Sequence, residues 1–164
     1  MNMRAIRFCL IALCMTAAHA ASAQQLDTHF SCSVDRVEYD EPVTYADNGR
    51  IKLDGDKIIE FSWESALFRT THSLDCDIDQ GDKLQAEVRT EGDRTTWRVS
   101  PVDATEAREK RGYDFGTLLN CSIRIEREGD QVQIKPTCPA LCGARTNFSA
   151  FAVDLKSGQC RYDK

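Results

Sequence analysis

Histidines are the first residues to test for catalysis, because a serine or cysteine nucleophile usually needs a neighbouring base. Beyond the first 23 residues the chain has two histidines, His29 and His72. His29 lies near the start of this region, and His72 stands between Thr71 and Ser73 near the end of a strand-like run. The sequence also has no Gly-x-Ser-x-Gly turn that would expose a serine nucleophile. We therefore predict no catalytic residue, and a binding protein rather than an enzyme.

An acidic segment offers the one candidate for metal binding, at Asp75-Cys-Asp77-Ile-Asp79-Gln-Gly-Asp82. An EF-hand loop that starts at Asp75 needs glycine at its sixth position and glutamate at its twelfth. Those positions hold Gln80 and Ala86. The segment is therefore interpreted as the acidic end of a hairpin, with a looser calcium cage left open. We predict no metal and no cofactor.

The first 23 residues have the three-part order of a secretory signal. Arg4 and Arg7 precede an apolar run, and the segment ends in Ala21-Ser-Ala23. The run is shorter than the roughly 20 apolar residues of a membrane span. We predict cleavage after Ala23, with Ala20 as a close alternative and an uncleaved anchor helix as another. Residues 24–164 would then form one periplasmic or secreted domain without a membrane span.

Removal of this segment would make the chain more acidic. The chain has 21 basic and 26 acidic residues, for a net charge of −5. Arg4 and Arg7 belong to the leader, which carries no acid. An acidic domain is a poor match for nucleic acid, whose phosphates need a basic face. It is compatible with a cationic protein partner, although charge that only keeps the domain soluble is the simpler explanation.

The leader also contains two cysteines, Cys9 and Cys14, out of eight in the chain. An even number behind an export signal predicts structural disulfides. A redox or metal site at Cys138-Pro-Ala-Leu-Cys142 is disfavoured, because the two-residue spacing of such sites is missing. The remaining cysteines are Cys32, Cys76, Cys121, Cys138, Cys142 and Cys160.

One disulfide follows from a hairpin register. Residues 121–128 and 131–138 alternate apolar and polar side chains around Gly129-Asp130, as two half-buried strands do. A two-residue turn places Glu128 opposite Gln131, Arg127 opposite Val132, Ile125 opposite Ile134 and Ile123 opposite Pro136. Cys121 then lies opposite Cys138, within disulfide distance. Elimination gives Cys142–Cys160 and Cys32–Cys76, and a Cys138–Cys142 bond is the main rival.

Turn residues recur along the whole chain, at 47–49, 54–55, 79–82, 91–93 and 128–130, with short strand-like runs between them. The runs are 30–37, 50–53, 57–63, 83–90, 94–100, 118–127, 131–137 and 144–154. The Gly92-Asp93 turn places Val88 opposite Trp97 and Ala86 opposite Val99. A single short helix is predicted within 103–112. The fold class is therefore all-β: a disulfide-stapled antiparallel sandwich or open barrel of about seven to nine strands.

The C-terminal third carries a resemblance to a known family. Cys121-Ser-Ile-Arg-Ile, Gly129-Asp-Gln-Val-Gln-Ile and Cys138-Pro-Ala-Leu-Cys142-Gly-Ala-Arg145-Thr-Asn-Phe148 follow one another. This order of a cysteine strand, a Cys-Gly turn and an aromatic strand resembles the β-rich part of LprI-like periplasmic lysozyme inhibitors. The resemblance implies a periplasmic protein that binds and blocks a cell-wall lytic enzyme.

The segment just after Cys142 is the candidate binding loop. A disulfide-bounded loop loses little entropy on binding. Gly143, Arg145 and Asn147 lie in it, and the last two side chains are able to donate hydrogen bonds to the carboxylates of a glycosidase cleft. An ordinary surface role for Arg145 is the simpler alternative. An immunity protein against a toxin, a structural or assembly protein of the envelope, and a small carboxylate-based hydrolase also remain open.

Overall fold

The computed structural model describes residues 24–110, 121–137 and 150–163. These residues form ten strands, one 3-10 turn and one short helix. The strands are β1 (Gln25–Glu38), β2 (Glu41–Asp54), β3 (Lys57–Arg69), β4 (Ser73–Asp79), β5 (Leu84–Glu91), β6 (Arg94–Pro101), β7 (Ile123–Glu128), β8 (Gln131–Pro136), β9 (Phe151–Asp154) and β10 (Cys160–Tyr162). The 3-10 turn spans Gln80–Asp82, and the helix, α1, spans Ala104–Lys110.

All strand pairs are antiparallel, and within each sheet every strand pairs with the next one in the chain. The first four strands form one sheet in the order β1-β2-β3-β4, and the other six form a second sheet in the order β10-β9-β8-β7-β6-β5. The 3-10 turn connects β4 to β5, and the Cys32–Cys160 disulfide joins β1 to β10. The architecture is an antiparallel sandwich in which the turn connects the two sheets along one side and the disulfide connects them along the other. The predicted all-β, disulfide-stapled fold is thereby confirmed.

The core between the sheets is formed by the alternate side chains of each strand. In β1 every second residue from Leu26 to Cys32 is buried, because successive side chains of a strand point to opposite faces. Trp63 and Phe61 from the four-stranded sheet share this core with Trp97 and Phe151 from the six-stranded sheet. The burial of large aromatic side chains accounts for much of the favourable free energy of folding.

Two predicted hairpin registers are confirmed. Ile125 pairs with Ile134 and Ile123 with Pro136 across the β7–β8 hairpin, and Glu128 pairs with Gln131 beside the turn. The predicted pairing of Arg127 with Val132 is present as well. In the β5–β6 hairpin the predicted pairs Val88 with Trp97 and Ala86 with Val99 are also formed. Glycines with positive φ, Gly92 and Gly129, begin the two turns.

The predicted turn at residues 47–49 is wrong, because β2 runs straight through it. Gly49 is a strand residue whose partner across β1 is Phe30. A Cβ atom at Gly49 would lie 2.4 Å from the Phe30 ring and 2.6 Å from the Ser62 carbonyl oxygen. Glycine is therefore needed for close packing rather than for a turn. The chain instead reverses at Tyr39-Asp40, where both residues have positive φ.

Two predicted disulfides are also wrong. Cys32 is bonded to Cys160, with a Cα–Cα distance of 5.6 Å, so neither Cys32–Cys76 nor Cys142–Cys160 exists. Cys32 and Cys76 lie on β1 and β4, the opposite edges of one sheet. Three strand spacings of about 4.8 Å separate these edges, which is beyond the reach of a disulfide. Cys76 and Cys121 are disulfide-bonded too. The predicted Cys121–Cys138 bond involves a residue outside the described part of the chain.

Candidate functional sites

The residues proposed from sequence for binding, Gly143, Arg145 and Asn147, lie outside the described residues. The two histidines are described, and both are exposed on the four-stranded sheet or its connections. His29 is on β1, whereas His72 lies between β3 and β4, where its Nδ1 is 2.9 Å from Thr71 Oγ1.

The acidic segment 75–82 is folded as a strand end and a capped 3-10 turn. The Asp79 carboxylate accepts a hydrogen bond from the Gly81 amide at 2.6 Å. The Asp82 carboxylate accepts one from the Asp79 amide at 3.0 Å, which completes a reciprocal cap. Within residues 24–110, 121–137 and 150–163, no group of three or more His, Cys, Asp or Glu side chains is arranged to hold a metal ion.

The β1–β2 hairpin ends in an exposed, acidic and aromatic turn, here called the hairpin tip (residues 37–42). Tyr39 is 98% exposed and Val37 is 74% exposed. Tyr39 and Asp40 have φ values of 53° and 64°, a backbone conformation that is uncommon outside glycine. A two-residue hairpin turn favours positive φ at both of its residues, so this conformation follows from the tight turn between Glu38 and Glu41. Sequence reasoning missed this turn because it relied on glycine as the turn signal.

Buried and half-buried contacts hold the base of the hairpin tip in place. Arg69, on β3, has a side chain that is only 18% exposed. Its guanidinium pairs with Glu38 at 3.1 Å and with Glu41 at 3.3 Å. The Tyr45 hydroxyl donates a second hydrogen bond to Glu38 at 2.7 Å. Burial, together with this bond, raises the pKa of Tyr45 to about 12. The two glutamates are therefore directed inward, whereas Tyr39 is directed outward.

Exposed apolar side chains extend this feature over the outer face of the four-stranded sheet. Val37 lies opposite Pro42 in the β1–β2 register. Phe68, on β3, is half-exposed and lies opposite Thr44 of β2. Val37, Pro42 and Phe68 share this face because they alternate with the buried positions of their strands. The tip and its flank thus combine an aromatic ring, aliphatic surface and carboxylates.

A buried carboxylate lies at the junction of the two sheets. Asp47, on β2, has no exposed surface. Its carboxylate accepts hydrogen bonds from Trp63 Nε1 and from the Tyr162 hydroxyl, both at 2.8 Å. Burial raises the pKa of Asp47, and the two hydrogen bonds oppose that rise. Because Tyr162 belongs to β10 and Asp47 pairs with Cys32 across β1, this contact lies next to the Cys32–Cys160 disulfide.

A stacked guanidinium covers the outer side of this junction. The Arg36 guanidinium lies 5.5 Å from the centre of the Tyr45 ring and 5.9 Å from that of Tyr162. It also donates a hydrogen bond to the Asp163 carbonyl at 2.6 Å. These are cation–π contacts combined with a backbone cap. They tie the end of the chain's described part to β1, so the arrangement is structural.

The outer face of the six-stranded sheet contains a polar cavity of about 410 Å³. Strands β5, β6 and β7 contribute most of its walls, because their outward side chains alternate with core residues. The lining residues are Glu87, Arg89, Glu91, Arg94, Thr96, Arg98, Ser122, Arg124 and Thr137.

Comparison with known proteins adds no functional assignment. No protein-family model matches the chain, and neither the curated proteins nor the solved structures gave a significant match. The family resemblance of the C-terminal third therefore stays an expectation. In the described part of the chain no helix has the length and apolar character needed to cross a bilayer.

Proposed function

We propose that this chain is a periplasmic or secreted binding protein that inhibits a cationic, lysozyme-like cell-wall lytic enzyme. The observation that carries the proposal is the hairpin tip. It presents a fully exposed tyrosine from a turn whose base is fixed by an arginine and two glutamates. Exposed aromatic residues on rigid loops are frequent anchors of protein interfaces.

Rigidity supports binding through the tip, since a loop that is already ordered loses little entropy in a complex. Arg69 and Tyr45 both contact Glu38, and the amide of Thr70 donates a hydrogen bond to Glu41 at 3.2 Å. The side chains around Tyr39 are therefore positioned before any partner arrives. The exposed side chains of Tyr39 and Asp40 still lose freedom on binding.

Charge supports a cationic partner. The chain has a net charge of −5, and cleavage of the leader would remove positive charges but no negative ones. Asp40 is exposed beside Tyr39 at the tip. Complementary charge raises the rate of encounter with a basic enzyme and disfavours acidic competitors. Lysozymes are commonly basic, and their catalytic cleft contains carboxylates, to which Arg145 and Asn147 are proposed to donate hydrogen bonds.

The disulfides support export. Cys32, Cys76, Cys121 and Cys160 are all oxidised in the described part of the chain. Disulfides persist in the periplasm and outside the cell, where lytic enzymes of the cell wall act. Together with the signal-like leader, this favours a protein that meets its partner outside the cytoplasm. An immunity role against a secreted toxin uses the same chemistry.

The proposal is tested by the clearing of a bacterial cell-wall suspension by a purified lysozyme. We expect the oxidised protein to slow clearing, and the Tyr39→Ala variant to need roughly thirtyfold more protein, as the loss of an interface anchor of about 2 kcal/mol implies. Ile59→Ala is the matched control, because Ile59 is a half-exposed apolar residue far from the tip on β3. It should inhibit like wild type.

The predicted loop is tested in the same assay with the Arg145→Ala, Asn147→Ala double variant. Weaker inhibition with an unchanged circular dichroism spectrum supports the carboxylate contacts. Wild-type inhibition by this double variant refutes the proposed loop, and wild-type inhibition by Tyr39→Ala refutes the proposed tip. A wild-type protein that leaves clearing unaffected at micromolar concentration refutes the inhibitor function and favours a structural role in the envelope.

A further inference from the structure

Three cations lie side by side across the outer face of the six-stranded sheet. Arg98 on β6 pairs with Arg124 on β7, and Arg124 pairs with Lys135 on β8. We call Arg98, Arg124 and Lys135 the cation row. Like charges directly opposite one another destabilise an antiparallel pair. The row contains two such like-charged pairs, and neither pair stabilises the sheet. A bound anion would offset their repulsion.

The neutralisation of the row is uneven. Arg124 forms an ion pair with Glu126, and Lys135 lies 3.7 Å from the Asp163 carboxylate. Arg98 instead donates a hydrogen bond to the hydroxyl of Ser122 at 3.1 Å. Glu87 faces Arg98 in the register, yet the two form no ion pair in the described residues.

Arg89 contributes another guanidinium to the cavity that Arg98 and Arg124 line. Arg89 is on β5, opposite Thr96, which precedes Arg98 by two positions on the same face of β6. Arg89 also forms no ion pair with a described residue. Two guanidiniums without an ion-pair partner among the described residues thus face the cavity from neighbouring strands.

The cavity supplies the remaining features of an anion site. Four arginines line it against two glutamates, in a chain whose net charge is −5, and two of the four, Arg94 and Arg124, are ion-paired with Glu128 and Glu126. Hydroxyl groups of Thr96, Ser122 and Thr137 lie among them. Ser122 is fully buried, and its backbone amide is bonded to Thr137 Oγ1 at 2.9 Å, so this part of the wall is rigid. Donors contributed to one cavity by three strands favour a ligand with several acceptor oxygens.

We infer that this cavity binds a phosphate group, with Arg98 and Arg89 as its principal contacts. A phosphate group carries three terminal acceptor oxygens, more than the two of a carboxylate, and so can engage guanidiniums from adjacent strands together with a hydroxyl. The planar fork of arginine matches it with two parallel hydrogen bonds. This site belongs to the sheet that does not carry the hairpin tip, so it goes beyond the proposed function.

The inference is tested by calorimetric titration of the oxidised protein with pyrophosphate. We expect binding with a Kd below about 1 mM, weakened at least tenfold by Arg98→Gln, because that variant removes charge-assisted hydrogen bonds to the phosphate oxygens. Arg161→Gln is the matched control. It removes one positive charge from the same outer face but lies outside this cavity. It should bind within twofold of wild type.

A lipid headgroup is a second source of the same chemistry. Flotation with phosphatidylglycerol vesicles tests binding to a lipid headgroup, and phosphatidylcholine vesicles, which carry no net charge, are the control. Comparison with the pyrophosphate titration distinguishes a lipid ligand from a soluble phosphate. Binding of either probe that Arg98→Gln abolishes and Arg161→Gln preserves supports the site, and the probe that binds identifies the source. The inference is overturned if neither probe binds, or if Arg161→Gln weakens binding as much as Arg98→Gln, because the effect would then be one of general charge.

Discussion

Replacement of Asp47 by alanine removes the acceptor of two hydrogen bonds at the junction of the sheets. The Trp63 indole N–H and the Tyr162 hydroxyl both donate to this carboxylate at 2.8 Å. Asp47 and Trp63 have no exposed surface, and Tyr162 retains only a little. Alanine leaves the buried indole donor without this acceptor.

The cost follows from the burial of these groups. A buried donor that loses its partner costs about 1–3 kcal/mol, and Tyr162 is close enough to the surface to recover part of its bond. The variant also avoids the cost of burying a charge, which raises the pKa of Asp47. We therefore expect Asp47→Ala to lower the free energy of unfolding by about 2–4 kcal/mol.

The measurement is equilibrium unfolding in urea with the disulfides intact, followed by tryptophan fluorescence. With a slope of about 2 kcal/mol per molar urea, the unfolding midpoint should fall by about 1–2 M. Asp54→Ala is the matched control, since Asp54 lies on the same strand but is exposed. Its midpoint should stay near that of wild type. Equal midpoints for Asp47→Ala and wild type would refute the assigned role of the carboxylate.

The pH dependence gives an independent check with a definite sign. Because the folded pKa of Asp47 is raised above 3.8, the folded state favours the protonated form. The stability contributed by this group is complete below pH 3.8 and is lost as pH rises through the folded pKa. Asp47→Asn keeps a neutral side chain at every pH. Wild type should therefore lose stability relative to Asp47→Asn as pH rises; a constant difference would contradict the raised pKa.

Two further predictions concern the positions where strands β1 and β2 meet their neighbours. Gly49→Ala should lower the free energy of unfolding by about 1–3 kcal/mol, because the new Cβ would overlap the Phe30 ring. Asn48→Ala, on the exposed face, should change it by less than about 0.5 kcal/mol. Equal urea midpoints for the two variants would contradict this packing. The Cys32→Ser, Cys160→Ser double variant should lose about 4 kcal/mol, since the bond closes a loop with a sequence separation of 128. Mass spectrometry of the unreduced digest should recover a peptide pair that contains Cys32 and Cys160, and recovery of Cys32 with Cys76 would refute the pairing.

The parts of the fold that were predictable are those determined by local rules. Gly129 and Gly92 mark two-residue turns, and a two-residue turn sets the register of both its strands. Alternation of apolar side chains then indicates which face is buried. The pairs Ile125 with Ile134 and Val88 with Trp97 follow from these two rules alone.

The remaining features depend on contacts between residues far apart in the chain. Asp47 and Gly49 have the composition of a turn, but Tyr162 and Phe30 hold them in a strand. Cys32 meets Cys160 because the first and last described strands lie side by side, which no spacing in the sequence encodes. The cation row was predictable only in part: the predicted β7–β8 register places Arg124 opposite Lys135, whereas Arg98 joins them only once β6 pairs with β7.

The hairpin tip illustrates a different limit. Tyr39 and Asp40 adopt positive φ without glycine, so the usual turn signal is missing. The segment Glu38-Tyr39-Asp40-Glu41-Pro42 nevertheless contains a signal that could have been used, since aspartate tolerates this conformation and proline follows the turn. The exposure of Tyr39 is a property of the folded hairpin and cannot be obtained from residue type.

Binding of a lysozyme through the hairpin tip is tested most directly by the equilibrium affinity of the oxidised protein for the purified enzyme, at low and at physiological ionic strength. We expect a complex that weakens as salt is raised, because acidic and basic surfaces attract each other. Tyr39→Ala should lower the affinity about thirtyfold at both salt concentrations, whereas Ile59→Ala should leave it unchanged. The absence of a complex, or equal affinities for Tyr39→Ala and wild type, would contradict the proposed function.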